Sequence, residues 1–299
     1  MLKSPKKPLK LKSMFPEEEI IEKTTPEADY EVVTTIDKNV SIDSIITTYL
    51  MHRKSFRSFT AEISRNRTPG FHPSGMHGAC PRQLAFGAFV ELGAYNDETI
   101  QNEFEMAVNV ANDPVLEAIF DNGHLIHFWL QYSVLADVKL KHLEVEVPIT
   151  ELHEKYFISG TADLIIELQD GNKYVVDIKT INTFAFAKLT KETLPPGYLT
   201  QLYIYMRGLN IDRGCLLFVN KNDSKRKEFF FTADELYNPE IFETALAAKK
   251  FVFKQSVPKI LFECQNRKGK FQSCPFTSLC FQINSITDTY KILRSDYTP

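Results

Sequence analysis

The sequence has 299 residues, 43% of them hydrophobic, and a formal net charge of −3 at pH 7. That length holds one large core or a core with an accessory lobe, and the near-neutral balance excludes a global basic field, so any nucleic-acid contact must rest on local patches. No apolar run is long enough to cross a bilayer and the N-terminus carries no apolar signal core, which predicts a soluble, cytoplasmic protein with no membrane partner.

Residues 1–30 read as a basic flexible tail: MLKSPKKPLKLKS carries five lysines and no acid, with Pro5 and Pro8 breaking any helix. Such a tail can meet nucleic acid or a partner electrostatically, but a solvated terminus is the plainer reading. Residues 31–112 read as an N-terminal helical region. It holds a predicted helix over 41–56, then a basic stretch over 53–67 with Phe56 and Phe59 interleaved, a pattern that can follow a single strand of nucleic acid. Ser74 or Cys80 is placed to start a further helix, with Pro81 at its first position.

A core region over 113–256 follows. Asp113-Pro114 opens a long helix, within which Gly123 costs about 1 kcal/mol against alanine and therefore implies close backbone approach. His127 stands one turn later on about the same face, with His124 a weaker neighbour. HLEVEVPI over 142–149 alternates as a strand, Glu144 and Glu146 sharing its polar face. Next come the two strands of a hairpin over 156–180, a short helical piece, the Pro195-Pro196-Gly197 break, and a helix that puts Gln201 and Tyr205 on one face. Two strands around KNDSKR and an amphipathic helix over 237–256 close the core. Residues 257–299 are cysteine-rich: Cys264, Cys274 and Cys280 are separated by nine and five residues. Five cysteines in all, an odd number, argue against a disulfide framework, and soft thiolates so clustered point to an iron–sulfur cluster or zinc. Cys215, among leucines, reads as an ordinary buried thiol.

The hairpin poses the sharpest question. Asp163, Asp177 and Lys179 sit inside its apolar runs, where a bare charge costs several kcal/mol unless paired or metal-bound. Asp177 and Lys179 share a strand face. Asp163 joins them only if the turn has an odd length or a bulge: a two-residue Asp170-Gly171 loop sets Asp163 opposite Ile178, and a three-residue Asp170-Gly171-Asn172 loop sets it opposite Lys179. Paired carboxylates gather hard divalent cations, and a lysine beside them can orient or deprotonate a water and balance charge. A buried ion pair that only stabilises the sheet is the alternative.

Gly160-Thr161-Ala162-Asp163, followed by Val176-Asp177-Ile178-Lys179-Thr180, resembles the core of the PD-(D/E)XK nucleases in the RecB-like branch, with its G-x-x-D strand and D-x-K strand. Gln201 and Tyr205 match the branch's Q-x-x-x-Y helix, and Gly123 to His127 matches its G-x-x-x-H. The resemblance implies an α/β fold of the restriction-endonuclease-like class, a mixed central sheet flanked by helices. It implies His127, Asp163, Asp177 and the Ile178 carbonyl as ligands of Mg²⁺ or Mn²⁺, Lys179 orienting the attacking water, and Gln201 and Tyr205 placing the strand. Cys80-Pro81-Arg82 and Cys274-Pro275, with Cys280, are similar to the cluster cysteines of the branch's iron–sulfur members. Cys264 departs from the family spacing, which puts its partner two residues before the final pair, yet with it four thiols are present, the number a 4Fe-4S cluster needs. Zn²⁺ is the rival occupant. A cysteine-clamped helical lobe is thereby implied.

The nearest resemblance, to CRISPR-associated RecB-like exonucleases and the AddB-type nuclease domain, implies an exonuclease acting on single-stranded or resected DNA ends. Its implied partners are DNA and proteins of recombination, replication or CRISPR adaptation. A branched-DNA endonuclease and a non-catalytic DNA-binding protein on the same fold are the alternatives.

Overall fold

A computed structural model of the chain describes residues 41–42, 44–45, 68–92, 114–254, 259–260, 264, 274, 276–277 and 280. The chain divides into two units, 1–36 and 37–299, and every described residue falls in the second. The basic tail and the aromatic stretch over 53–67 lie outside the described residues, as does most of the helix expected over 41–56.

The frame is a five-stranded mixed sheet in the order β1-β2-β3-β4-β5. Its strands are β1 (His142–Pro148), β2 (Thr161–Glu167), β3 (Lys173–Ile181), β4 (Arg213–Asn220) and β5 (Arg226–Thr232). Neighbours pair antiparallel except β3 and β4, which run parallel. The helices are α1 (Pro73–Met76), α2 (Pro81–Glu91), α3 (Pro114–Trp129), α4 (Thr150–Tyr156), α5 (Thr183–Ala187), α6 (Pro196–Gly208) and α7 (Glu240–Phe253). A parallel pair needs a crossover, and α5 and α6 supply it between β3 and β4.

Alternate residues of β4 feed two separate cores. Leu216 and Phe218 pack with Leu202 and Tyr205 of α6, with Phe86 and Ala88 of α2, and with Ala245 and Val252 of α7. Cys215, Leu217 and Val219 pack with Leu164, Ile166, Val176 and Ile178, and with Leu130, Val134 and Leu135, which follow α3. A strand covered on both faces reads as an unbroken apolar run, and RGCLLFVN does.

Three expectations are corrected. The strand at 142–149 does not lead straight into the hairpin, because α4 intervenes and turns back through Phe157 at φ 59°. TELHEKY buries Leu152 as its one fully covered side chain, so it carries no helical periodicity to read. The hairpin's first strand begins at Thr161 rather than 156, and Ile158 makes only an isolated parallel bridge with Phe71. The long helix is α-helical only to Trp129. It widens into a π-helical turn over Leu130–Val134 and tightens over Leu135–Asp137.

The cysteine-bearing end meets α2. Cys80 precedes that helix, and its Sγ accepts the Gln83 N–H at 3.3 Å. Arg82, buried beneath it, donates from Nη2 to the Cys280 carbonyl at 2.9 Å. The Phe86 and Phe276 rings meet edge-on, 5.6 Å apart.

Cys215 offers a check on the sheet. Burial pushes its thiol well above the ordinary cysteine range, so the reactive thiolate is scarce. Cys215 is expected to stay unmodified by iodoacetamide at pH 8 until urea unfolds the protein, as read by peptide mass spectrometry. Modification without urea would contradict a covered β4.

Candidate metal centre

The turn between β2 and β3 decides which charges meet. Leu168 donates to the Asn172 carbonyl and Gly171 to the Leu168 carbonyl, both at 2.9 Å, and Gly171 takes φ 86°. The loop is therefore three residues, Gln169-Asp170-Gly171, with glycine at the left-handed position. The odd length is as the charges require, but the register differs from the one expected by one step on the loop. Leu164 pairs with Val176, and continuing the count sets Asp163 beside Asp177 rather than Lys179. The step keeps Asp163, Asp177 and Lys179 on one face, because their parity is unchanged. Beyond that last pair the ladder gives way to a side chain: Asp163 Oδ2 accepts the Ile178 N–H at 2.7 Å.

The expected residues form one chain of contacts. His127 Nδ1 lies 3.6 Å from Asp163 Oδ1, an ion-pair separation rather than a hydrogen bond. Lys179 Nζ lies 2.7 Å from Asp177 Oδ2, the separation of a charge-assisted hydrogen bond within a buried ion pair. Lys179 also donates to Gln201 Oε1 at 3.0 Å, and Gln201 Nε2 donates to the Tyr205 hydroxyl at 3.0 Å. Gln201 and Tyr205 are buried. Their visible connection is to the lysine rather than to solvent.

Two glycines bring these elements close. A Cβ at Gly123 would lie 2.9 Å from Thr180 Oγ1, so α3 presses on β3 just where His127 must reach Asp163. A Cβ at Gly160 would lie 2.9 Å from the Pro73 ring and 3.2 Å from Tyr205 Cε1, so the approach to β2 is equally tight.

The two carboxylates are driven apart electrically. Burial raises Asp177 to about 6, and the charge of Asp163 adds to the rise despite Lys179. Burial acts on Asp163 in the same direction, but His127, Lys179 and the Ile178 N–H outweigh it and hold that carboxyl below its ordinary value. Burial would lower Lys179, and the two aspartates overcome it and raise the ammonium instead.

Among the described residues, no three His, Cys, Asp and Glu side chains converge at coordinating separation. The donor set nonetheless suits a hard cation. It offers two carboxylates and an imidazole, and Asp177 Oδ2 is a buried oxygen beside the Lys179 ammonium. Ile178, buried, follows Asp177 directly and gives its N–H to Asp163.

The four cysteines are half-buried. Burial raises Cys274 and Cys280, and the neighbouring thiols Cys80 and Cys264 raise both further. Arg82 pulls Cys280 the other way.

Three residues at the site escape a reading by sequence. Gln131 donates from Nε2 to Glu146 Oε1 at 2.9 Å and to the Asp163 carbonyl at 3.0 Å. Tyr198 places its ring 5.0 Å from Lys179 Nζ. Lys221 Nζ lies 3.8 Å from the position a Gly123 Cβ would take. None belongs to a motif, so no signal in the chain marks it.

No protein-family model matches the chain, and no curated protein matches it. Among solved structures, the crystal structure of SSO0001 aligns over 79% of this chain and 92% of that one, at 19% identity and a TM-score of 0.39. A likeness at that score carries no argument. No helix among the described residues is long and apolar enough to cross a membrane.

The raised carboxyl yields a stability prediction. Unfolded, Asp177 loses its proton near 3.8; folded, it holds it to about 6. Its contribution is therefore intact below pH 4 and lost as pH rises to 6, a cost of about 3 kcal/mol above that. In EDTA, Asp177→Asn is expected to raise the melting temperature by several degrees at pH 8 and by nothing at pH 4. An equal effect at both pH values would refute it.

Proposed function

We propose that the chain is a divalent-cation-dependent DNA nuclease of the PD-(D/E)XK type, built on a restriction-endonuclease-like core and acting on single-stranded or resected DNA ends. The observation that supports it most is the convergence of Asp163, Asp177 and Lys179 on one face of adjoining strands, with His127 reaching in from α3. A sheet stabilised only by an ion pair has no need of a second carboxylate beside the first, since like charges on neighbouring strands oppose folding.

His127, Asp163, Asp177 and the Ile178 carbonyl would hold Mg²⁺ or Mn²⁺. Such an ion polarises a phosphodiester, lowers the pKa of a water and stabilises the leaving oxygen. Lys179 orients the attacking water and offsets charge on the phosphate. Gln201 holds the ammonium, and Tyr205 holds Gln201, so the pair acts on the strand through the lysine. The ring of Tyr198 gives that ammonium an aromatic wall. DNA is the partner. Recombination, replication or CRISPR adaptation is the setting the resemblance implies.

Cys80, Cys264, Cys274 and Cys280 would hold a 4Fe-4S cluster, with Zn²⁺ as the other occupant the donor set accepts. The Arg82 bond to the Cys280 carbonyl and the Phe86–Phe276 ring contact support a structural clamp between α2 and the chain near residue 280.

End-labelled single-stranded DNA is expected to shorten when Mn²⁺ is added and to stop shortening in EDTA. Asp177→Ala and Lys179→Ala should each abolish cleavage while the protein keeps its cooperative melt; undiminished cutting by either overturns the assignment. Linear, circular and branched substrates separate an end-directed enzyme from an endonuclease. Anaerobically purified protein should be brown with broad visible absorption. A colourless protein carrying stoichiometric zinc would replace the cluster with Zn²⁺.

A further inference from the structure

Two irregularities of the backbone meet at Asp163. The first is the π-helical turn over Leu130–Val134, which carries Gln131. The second is Glu146, which takes φ 54° in the middle of β1, a left-handed conformation that a side chain with a Cβ rarely adopts. Val145 pairs with Leu164 and Val147 with Ala162, so the register sets Glu146 beside Asp163. Two departures from regular geometry at one point carry a cost that persists only where surrounding structure holds them in place.

Gln131 is what holds them. Its side chain is buried, and Nε2 donates both to Glu146 Oε1 at 2.9 Å and to the Asp163 carbonyl at 3.0 Å. Both partners only accept, so the amide nitrogen must face them and both its hydrogens are used. A π-helical turn sets its side chains on a wider angular course than an α-helix, and Gln131 is carried on that turn. One carboxamide thus fastens β1 to β2 at the residue whose carboxylate leaves the ladder to take the Ile178 N–H.

We propose that Gln131 and Glu146 are positioning residues: Glu146 orients the Gln131 amide, and that amide fixes the backbone of Asp163, so that its carboxylate is pre-set between His127 and Ile178. The proposal rests on the nuclease reading for its purpose, but the geometry it asserts stands without a metal. Toward Gln131, Glu146 acts as a hydrogen-bond acceptor, a role that a carboxamide oxygen also fills.

The experiment uses the full chain and three substitutions. Glu146→Gln keeps an acceptor for Gln131. Glu146→Gly removes it while suiting the left-handed backbone. Gln131→Ala removes the amide. In EDTA, hydrogen exchange of the Ile178 amide is expected to quicken about tenfold in Glu146→Gly and Gln131→Ala, the loss of one hydrogen bond's worth of restraint, and to stay unchanged in Glu146→Gln. Glu146→Gly should melt no lower than the parent, which separates positioning from general stability. Unchanged Ile178 exchange in Glu146→Gly and Gln131→Ala overturns the proposal, as does quickened exchange in Glu146→Gln. A second arm titrates Mn²⁺ by calorimetry, where Glu146→Gly should bind about tenfold more weakly and Glu146→Gln as the parent does. If the parent binds no Mn²⁺, the nuclease reading fails while the Ile178 result still decides the positioning.

Discussion

Two carboxylates buried in adjoining strands cannot both be charged and dry without help. The fold around them supplies it from different directions. Lys179 stands against Asp177, His127 and the Ile178 N–H stand against Asp163, and Gln201 steadies the lysine from α6. The helpers come from three elements, so α3, β3 and α6 must all be in place before the pair is tolerable. Desolvation is what makes the arrangement demanding: burial is the largest influence on Asp163, Asp177 and Lys179 alike. The helix packing on both faces of the sheet is thus tied to the charge it encloses.

Asymmetry between the two aspartates follows from their surroundings. Asp163 has a main-chain donor built into its environment and stays ionised. Asp177 is more deeply desolvated, and burial and the charge of Asp163 prevail over the Lys179 ammonium, so its proton is held longer. Environments that push paired titratable groups apart are a recurrent property of sites that do chemistry.

The hairpin strands, β4, β5 and α6 were legible in the sequence, the strands from their short apolar runs between turn residues and α6 from its helical spacing after a proline break. The sequence also made legible that three charges inside apolar runs required an odd turn. It did not specify which odd turn, because Gln169, Asp170, Gly171 and Asn172 all suit loops, and only tertiary pairing selects among them. α4 was hidden because a seven-residue helix burying chiefly Leu152 has no period to detect. The π-helical turn was hidden for a different reason. LQYSV continues the helical pattern before it, and nothing in the segment's own spacing marks the widening that carries Gln131 to Asp163. Gln131 and Glu146 themselves read as ordinary polar residues, since a contact across fifteen positions leaves no mark in either neighbourhood.

The bond from Arg82 to the Cys280 carbonyl joins points 198 positions apart. A ribosome delivers α2 long before it delivers that carbonyl. Throughout synthesis of the intervening sheet, the guanidinium at the base of α2 lacks one of its native acceptors, and Phe86 lacks the ring that will cover it. The nascent protein can therefore assemble its strands early but must leave this corner open until the later-made stretch closes on the earlier-made helix.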